Sequence, residues 1–300
     1  MKTVSVIIPC YNQAHYLAEA IESALNQTYP HVEIVVVNDG STDDTAEVAA
    51  RYGNRLRYVE KANAGLSAAR NTAIENSRGE LIALLDSDDR WLPHKLETQV
   101  RYFDDDSTTA LCFSSFNYFG PHFTSKMEER LPDGLVLDVH DVMLRRCAMQ
   151  VPTAIFRRDI LENVGGFNPA YEYCEDWDMW LRIVLRHKVV ICGQVLAEYR
   201  QAEGSLSSSA NARRVYLGRL QLAEAYSNIH KDCHVCQVAI QKMRRDARAG
   251  YFAGLRTQAN KALSNRQFSQ AISLNLKAVA HFPEAFMRLP SYRRRRPTAI

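Results

Sequence analysis

Along the first 120 residues, short runs of apolar and β-branched residues alternate with stretches in which apolar positions recur every three or four residues. A continuous apolar run marks a buried strand and a 3.6-residue period marks a helix, so this alternation predicts a largely parallel sheet covered by helices. The runs place strands at 4–8, 32–37, 56–59, 81–85 and 110–116, with helices at 14–27, 42–52, 66–76 and 93–103. Ser41 followed by Asp44 supplies a start signal for the second helix, a hydroxyl for an orphan amide and a carboxylate near the positive helix end.

From 121 to 200 the alternation loosens. Residues 121–138 lack a period and carry Pro132-Asp133-Gly134, which predicts a mobile loop. Helices follow at 141–146, 158–163 and 176–187, with strands at 153–156 and 189–192. The Gly- and Ser-rich run 203–209 reads as a linker, and beyond 210 every segment has helical period. The chain therefore divides into an α/β body at 1–209 and an all-helical appendage at 210–300. Within the appendage, 256–283 has small residues facing across an Asn265-Arg266 turn and ends in Pro283, the pattern of one tetratricopeptide-like hairpin. Such a unit cannot bury its own face and needs a neighbour, either the body or another protein.

Hydrophobic residues at 46% and charged residues at 24% exclude a disordered, collagenous or coiled-coil chain. No apolar run reaches a membrane span, the first one is too short for a signal peptide, and seven scattered cysteines argue for reduced thiols. These features predict a cytoplasmic protein. The net charge of +3 hides an asymmetry: residues 1–200 hold 20 Lys and Arg against 29 Asp and Glu, whereas 201–300 hold 17 against 5. The basic end, with Arg293–Arg296, is suited to anionic headgroups and to peripheral association at the inner face of the plasma membrane, or is simply a solvated surface. No aromatic residues interleave with it as a nucleic-acid surface requires. His230, Cys233, His234 and Cys236 are zinc-ligand types, but no second CxxC closes a site.

Chemistry concentrates at the ends of the first strands. Leu84-Leu85-Asp86-Ser87-Asp88-Asp89 ends a buried strand in three carboxylates within four residues. In an open α/β sheet ligands bind at the carboxyl ends of strands, and carboxylates two apart can hold Mg²⁺ or Mn²⁺ with positions left for phosphate oxygens. An Asp-rich turn leading into the helix at 93 is the plainer alternative. The first strand ends Pro9-Cys10-Tyr11-Asn12, where a ring can stack on a nucleobase, and the second ends Asn38-Asp39-Gly40-Ser41, a further carboxylate for base or ribose. In Gly65-Leu66-Ser67-Ala68-Ala69-Arg70-Asn71, small residues permit close approach and the guanidinium suits a diphosphate.

These motifs, with Gly165-Gly166-Phe167 and Glu175-Asp176-Trp177-Asp178, resemble the family 2 glycosyltransferases over residues 3–207. The resemblance implies a GT-A fold and metal-dependent, inverting transfer of a sugar from a nucleotide diphosphate-sugar, a UDP-sugar by family habit, to a saccharide or lipid-linked saccharide acceptor in surface polysaccharide or glycolipid synthesis. It implies that Pro9, Tyr11 and Asn12 line the nucleotide site, that Asp39 binds the base, and that Arg70 and Asp86 meet ribose or diphosphate. Asp88, helped by Asp86, would ligate the metal, and Asp176 would be the general base. Glu175 and Trp177 would lie at the acceptor site and Arg200 would reach the diphosphate, although Ala202 stands where many relatives carry His. By chemistry alone, Glu175 and Asp176 also serve as dipole partners of a helix start, and Trp177 and Trp180 as core. The alternative function is a non-catalytic nucleotide-sugar sensor or scaffold acting through the helices. A Rossmann dehydrogenase is excluded because no G-x-G-x-x-G follows the first strand.

Overall fold

The computed structural model describes residues 1–120, 127–129, 132–134, 143–144, 147, 149–201 and 208–281. The chain divides into two compact units, Met1–Ala202 and Glu203–Ile300.

In the first unit, β1 (Val4–Cys10), β2 (Val32–Asp39), β3 (Arg57–Lys61) and β4 (Leu81–Leu84) are parallel and stand in the order β3-β2-β1-β4. Every residue of β1 and β4 is buried, which is why β4 reads as an unbroken apolar run and β1 as one broken by Ser5 alone. Their connections are α1 (Ala14–Leu25), α2 (Thr45–Ala50) and α3 (Leu66–Glu75). The remaining strands are β5 (Arg90–Trp91), β6 (Thr109–Phe119), β7 (Met127–Glu129), β8 (Ile155–Arg157) and β9 (Lys188–Arg200), and helices α4 (Lys95–Asp105), α5 (Leu161–Val164) and α6 (Glu175–Val184) complete the unit. The sheet continues beyond β4 as β8-β6-β9-β5, with β7 on β6. Here β8 is antiparallel to both β4 and β6, while β6 and β9 run parallel. The expected α/β sheet is present, and its second half is mixed.

Several boundaries differ from the periodicity. The second helix begins at Thr45 and not near Ser41: Asp43, rather than the Ser41–Asp44 pair, accepts from the Thr45 amide at 3.2 Å, while Ser41 Oγ accepts from the Asn12 amide. The strand expected at 189–192 runs on to Arg200, past Gly193 and Gln194, because two register shifts against β6 absorb the irregularity. The 121–138 stretch, expected as loop, contains β7, and β5 had no periodic signal. Of the helix expected at 141–146 only Met143 and Leu144 are described, and both are buried. Most of the expected linker, Ala202, Pro283 and Arg293–Arg296 lie outside the described residues.

In the second unit the described residues form α7 (Ala212–Ile229), α8 (His234–Ser264) and α9 (Phe268–His281). Tyr216 and Tyr251 stack at 5.2 Å between α7 and α8, and a Cβ on Gly254 would lie 2.3 Å from that of Ala212, so glycine sets this close approach. The expected turn between the last two helices falls at Asn265–Gln267, with Arg266 at φ 57° and the Gln267 amide donating to the Ala262 carbonyl at 2.8 Å. No helix among the described residues is long and apolar enough to cross a membrane.

Candidate active site

Because β1 is flanked by β2 and β4, all parallel, the loops that leave their carboxyl ends emerge at one edge. Pro9 is buried opposite Val37, and Tyr11, two residues on, is 51% exposed. Asn12 takes a left-handed φ of 54° and clamps the neighbouring loop: its Oδ1 accepts from the Thr42 amide at 2.8 Å. Asp39 is buried and its oxygens accept from Lys61 Nζ at 2.6 Å, the Ala64 amide at 3.1 Å and the Gly65 amide at 2.9 Å. Gly65 itself sits at φ 89°, a conformation open to glycine. The carboxylate thereby fixes the turn that starts α3.

From α3, Arg70 projects into the interior and is only 1% exposed. Its guanidinium bonds Asp86 at 2.8 Å and Glu175 at 2.7 Å, and lies over the Phe167 ring at 5.2 Å. One cation thus joins the end of β4 to the start of α6, and both neighbouring charges raise the guanidinium's own pKa. The next residue, Asn71, accepts from the Phe167 amide at 2.8 Å and donates to the Phe167 carbonyl at 2.7 Å. A Cβ on Gly166 would lie 2.6 Å from Asn71 Oδ1, which explains the glycine there.

The helix α6 starts after Cys174, itself left-handed at φ 68°. Glu175 is buried against Arg70, and Asp176 Oδ1 accepts from the Trp177 amide at 2.7 Å. Burial and then the adjacent Glu175 carboxylate push the Asp176 pKa up to about 7, against the pull of Arg70. Trp177 is 4% exposed and donates from Nε1 to the Met143 carbonyl at 2.6 Å, a core position.

The acidic turn after β4 is crowded with like charge. Burial and then Asp86 raise the Asp88 pKa to about 6, and burial, Asp88 and Asp86 also raise that of Asp89. Asp89 Oδ1 accepts from the Arg200 amide at 2.8 Å, whereas its buried Oδ2 has no partner among the described residues. Carboxylates destabilised in this way fit a divalent cation, which would relieve their repulsion. No group of three His, Cys, Asp or Glu among the described residues is placed to hold a metal alone.

Arg200, expected at the diphosphate, is engaged within the protein. Its Nε donates to the Asp88 carbonyl at 2.6 Å, its guanidinium pairs with Glu19 and lies 4.3 Å from the Tyr16 ring and 4.2 Å from that of Phe119. Arg90 covers Phe119 too, at 4.3 Å, and pairs with Glu19 and Glu198. Sequence reasoning missed Glu19, Arg90, Glu198 and Phe119. They come from α1, β5, β9 and β6, and nothing local distinguishes them from surface charges or strand aromatics.

A sequence profile for glycosyl transferase family 2 matches residues 5–165, more than half of the chain, and the protein belongs to this family. An uncharacterised glycosyltransferase of Rickettsia typhi is 32% identical over 217 residues, 69% of this chain and 66% of the relative. Across its rickettsial relatives the chain spans from 31% to 66% of the relative's length. WfgD of Escherichia coli, a UDP-Glc:α-D-GlcNAc-diphosphoundecaprenol β-1,3-glucosyltransferase, is 30% identical over 210 residues, 69% of this chain and 80% of that protein. Among solved structures, Staphylococcus aureus TarS residues 1–349 in complex with UDP-GlcNAc superposes with a TM-score of 0.69 at 19% identity, covering 97% of this chain and 93% of that one. This likeness establishes the fold, and it is the GT-A type that the motifs implied.

Proposed function

We propose that the protein transfers a sugar with inversion from a nucleotide diphosphate-sugar, a uridine diphosphate donor first, to a hydroxyl of a saccharide or lipid-linked saccharide. The observation that carries this reading is the Arg70 bridge, which ties Asp86 at the strand ends to the Glu175–Asp176 pair. It sets a carboxylate of raised pKa beside the edge where an α/β sheet collects its ligand. UDP appears in the donor of WfgD and in the TarS complex, which supports uridine here.

In this mechanism Tyr11 offers a ring face to the nucleobase beside Pro9. Asn12 and Asp39 shape the base and ribose pocket through the loops they fix. Asp88, with Asp86, would hold Mg²⁺ or Mn²⁺, and when bound the cation supplies neutralising charge for the departing diphosphate. Asp176 accepts the proton of the acceptor hydroxyl on the face opposite the leaving group, and a pKa near the working pH suits that task. Arg70, Arg200 and Glu175 act as positioning residues, and Trp177 supports α6 from the core. Residues 1–209 would carry the reaction and 210–300 the appendage. The basic surplus of residues 201–300 supports a cytoplasmic protein drawn to anionic headgroups, close to lipid-linked acceptors. Family membership disfavours the non-catalytic sensor.

The test is Asp176→Asn, followed by release of the nucleoside diphosphate from UDP-sugars. Turnover should fall about 10²- to 10⁴-fold with nucleotide affinity unchanged; wild-type turnover in the variant would overturn the assignment.

A further inference from the structure

The turn between α7 and α8 holds a feature the transfer reaction does not use. Cys233 is the N-cap of α8, in extended conformation at φ −101° and ψ 105°, and its sulfur accepts from the Cys236 amide at 3.4 Å. Cys236 lies one turn inside the helix and is fully buried. A cap alone needs one acceptor, and serine serves better. The second sulfur, in the same first turn of the helix, has no part in capping.

Residues three apart in a first turn have Cα atoms about 5 Å apart, inside the range a disulfide spans. The two sulfurs are also unequal. Hydrogen bonds from the Cys236 thiol and then its amide lower the pKa of Cys233, whereas burial and the neighbouring sulfur raise that of Cys236. The half-buried member is the better thiolate and the buried member the resolving thiol. No third His, Cys, Asp or Glu among the described residues joins them in a metal site.

We propose that Cys233 and Cys236 form a redox-active dithiol that a low-molecular-weight disulfide closes to an intramolecular disulfide. The Cys233 thiolate attacks glutathione disulfide, making a mixed disulfide and expelling one glutathione thiolate. Cys236 then loses its proton and attacks the Cys233 sulfur, expelling the second. The protein loses two hydrogens and two electrons, and glutathione disulfide becomes two glutathiones.

The experiment exposes the full chain to graded glutathione and glutathione disulfide, quenches with acid, alkylates, and weighs the tryptic peptide 232–242. The expected result is a peptide lighter by two hydrogens and unalkylated at oxidising ratios, and doubly alkylated at reducing ones. Cys236→Ser should stop at one glutathione on Cys233, and Cys233→Ser, which keeps an N-cap, should leave Cys236 as a free thiol. A wild-type peptide that stays doubly alkylated at every ratio, or that accumulates the mixed disulfide without closing, would overturn the proposal.

Discussion

At the scale of single residues, the site depends on how one buried cation divides itself. Arg70 pairs with both Asp86 and Glu175, and the positions of the two carboxylates are fixed by the same planar group. Asp176 lies next to this arrangement and feels both signs, its pKa raised by Glu175 and lowered by Arg70. A general base works when deprotonated, so turnover should climb as pH rises through about 7 and then level off. Replacing Glu175 with Gln removes the negative neighbour and leaves the positive one. The ionised form of Asp176 is then favoured, and the acid limb of the turnover profile should move to lower pH. A limb that stays in place or moves upward in Glu175→Gln would show that another group titrates. The sequence made the carboxylates legible because they fall at strand and helix ends. It could not show the bridge, whose partners Arg70 and Glu175 are 105 residues apart.

At the scale of elements, the acidic turn after β4 is held less by its own residues than by β9 and α1. Arg200 supplies a backbone amide to Asp89 and a side-chain donor to the Asp88 carbonyl, and Glu19 on α1 fixes both Arg200 and Arg90. Glu19→Gln takes away the charge that pins the two guanidiniums over Phe119. Calorimetry should then show Mn²⁺ binding in the presence of UDP weakened by about tenfold, about 1.4 kcal/mol. UDP affinity without metal should not change, and an equal loss in both would mean that Glu19 supports the whole fold. The parallel strands could be read from sequence because the central strands are buried and largely apolar. The end of β9 could not, because Gly193, Gln194 and Glu198 interrupt its apolar run while bulges keep it in the sheet. Those interruptions hid the segment that carries Arg200. Ser41 misled in the opposite sense, since its hydroxyl serves the Asn12 amide while Asp43 accepts from the Thr45 amide at the start of α2.

At the scale of the whole molecule, charge is divided as sharply as structure. The 17 Lys and Arg against 5 Asp and Glu of residues 201–300 should carry the protein to anionic vesicles. Cosedimentation with phosphatidylglycerol vesicles should fall steeply as salt rises and the Debye length drops below about 8 Å. Equal binding to zwitterionic vesicles would contradict an electrostatic attachment. The central claim, that the edge of the sheet binds a nucleoside diphosphate through Asp88 and a divalent cation, is tested most directly by thermal unfolding. The measurement compares wild type and Asp88→Asn with UDP, with Mn²⁺, and with both. The account predicts stabilisation of wild type by the pair together, about 2.7 kcal/mol at one hundred times the dissociation constant, and its loss in Asp88→Asn. Equal stabilisation of both proteins, or none of either, would contradict it.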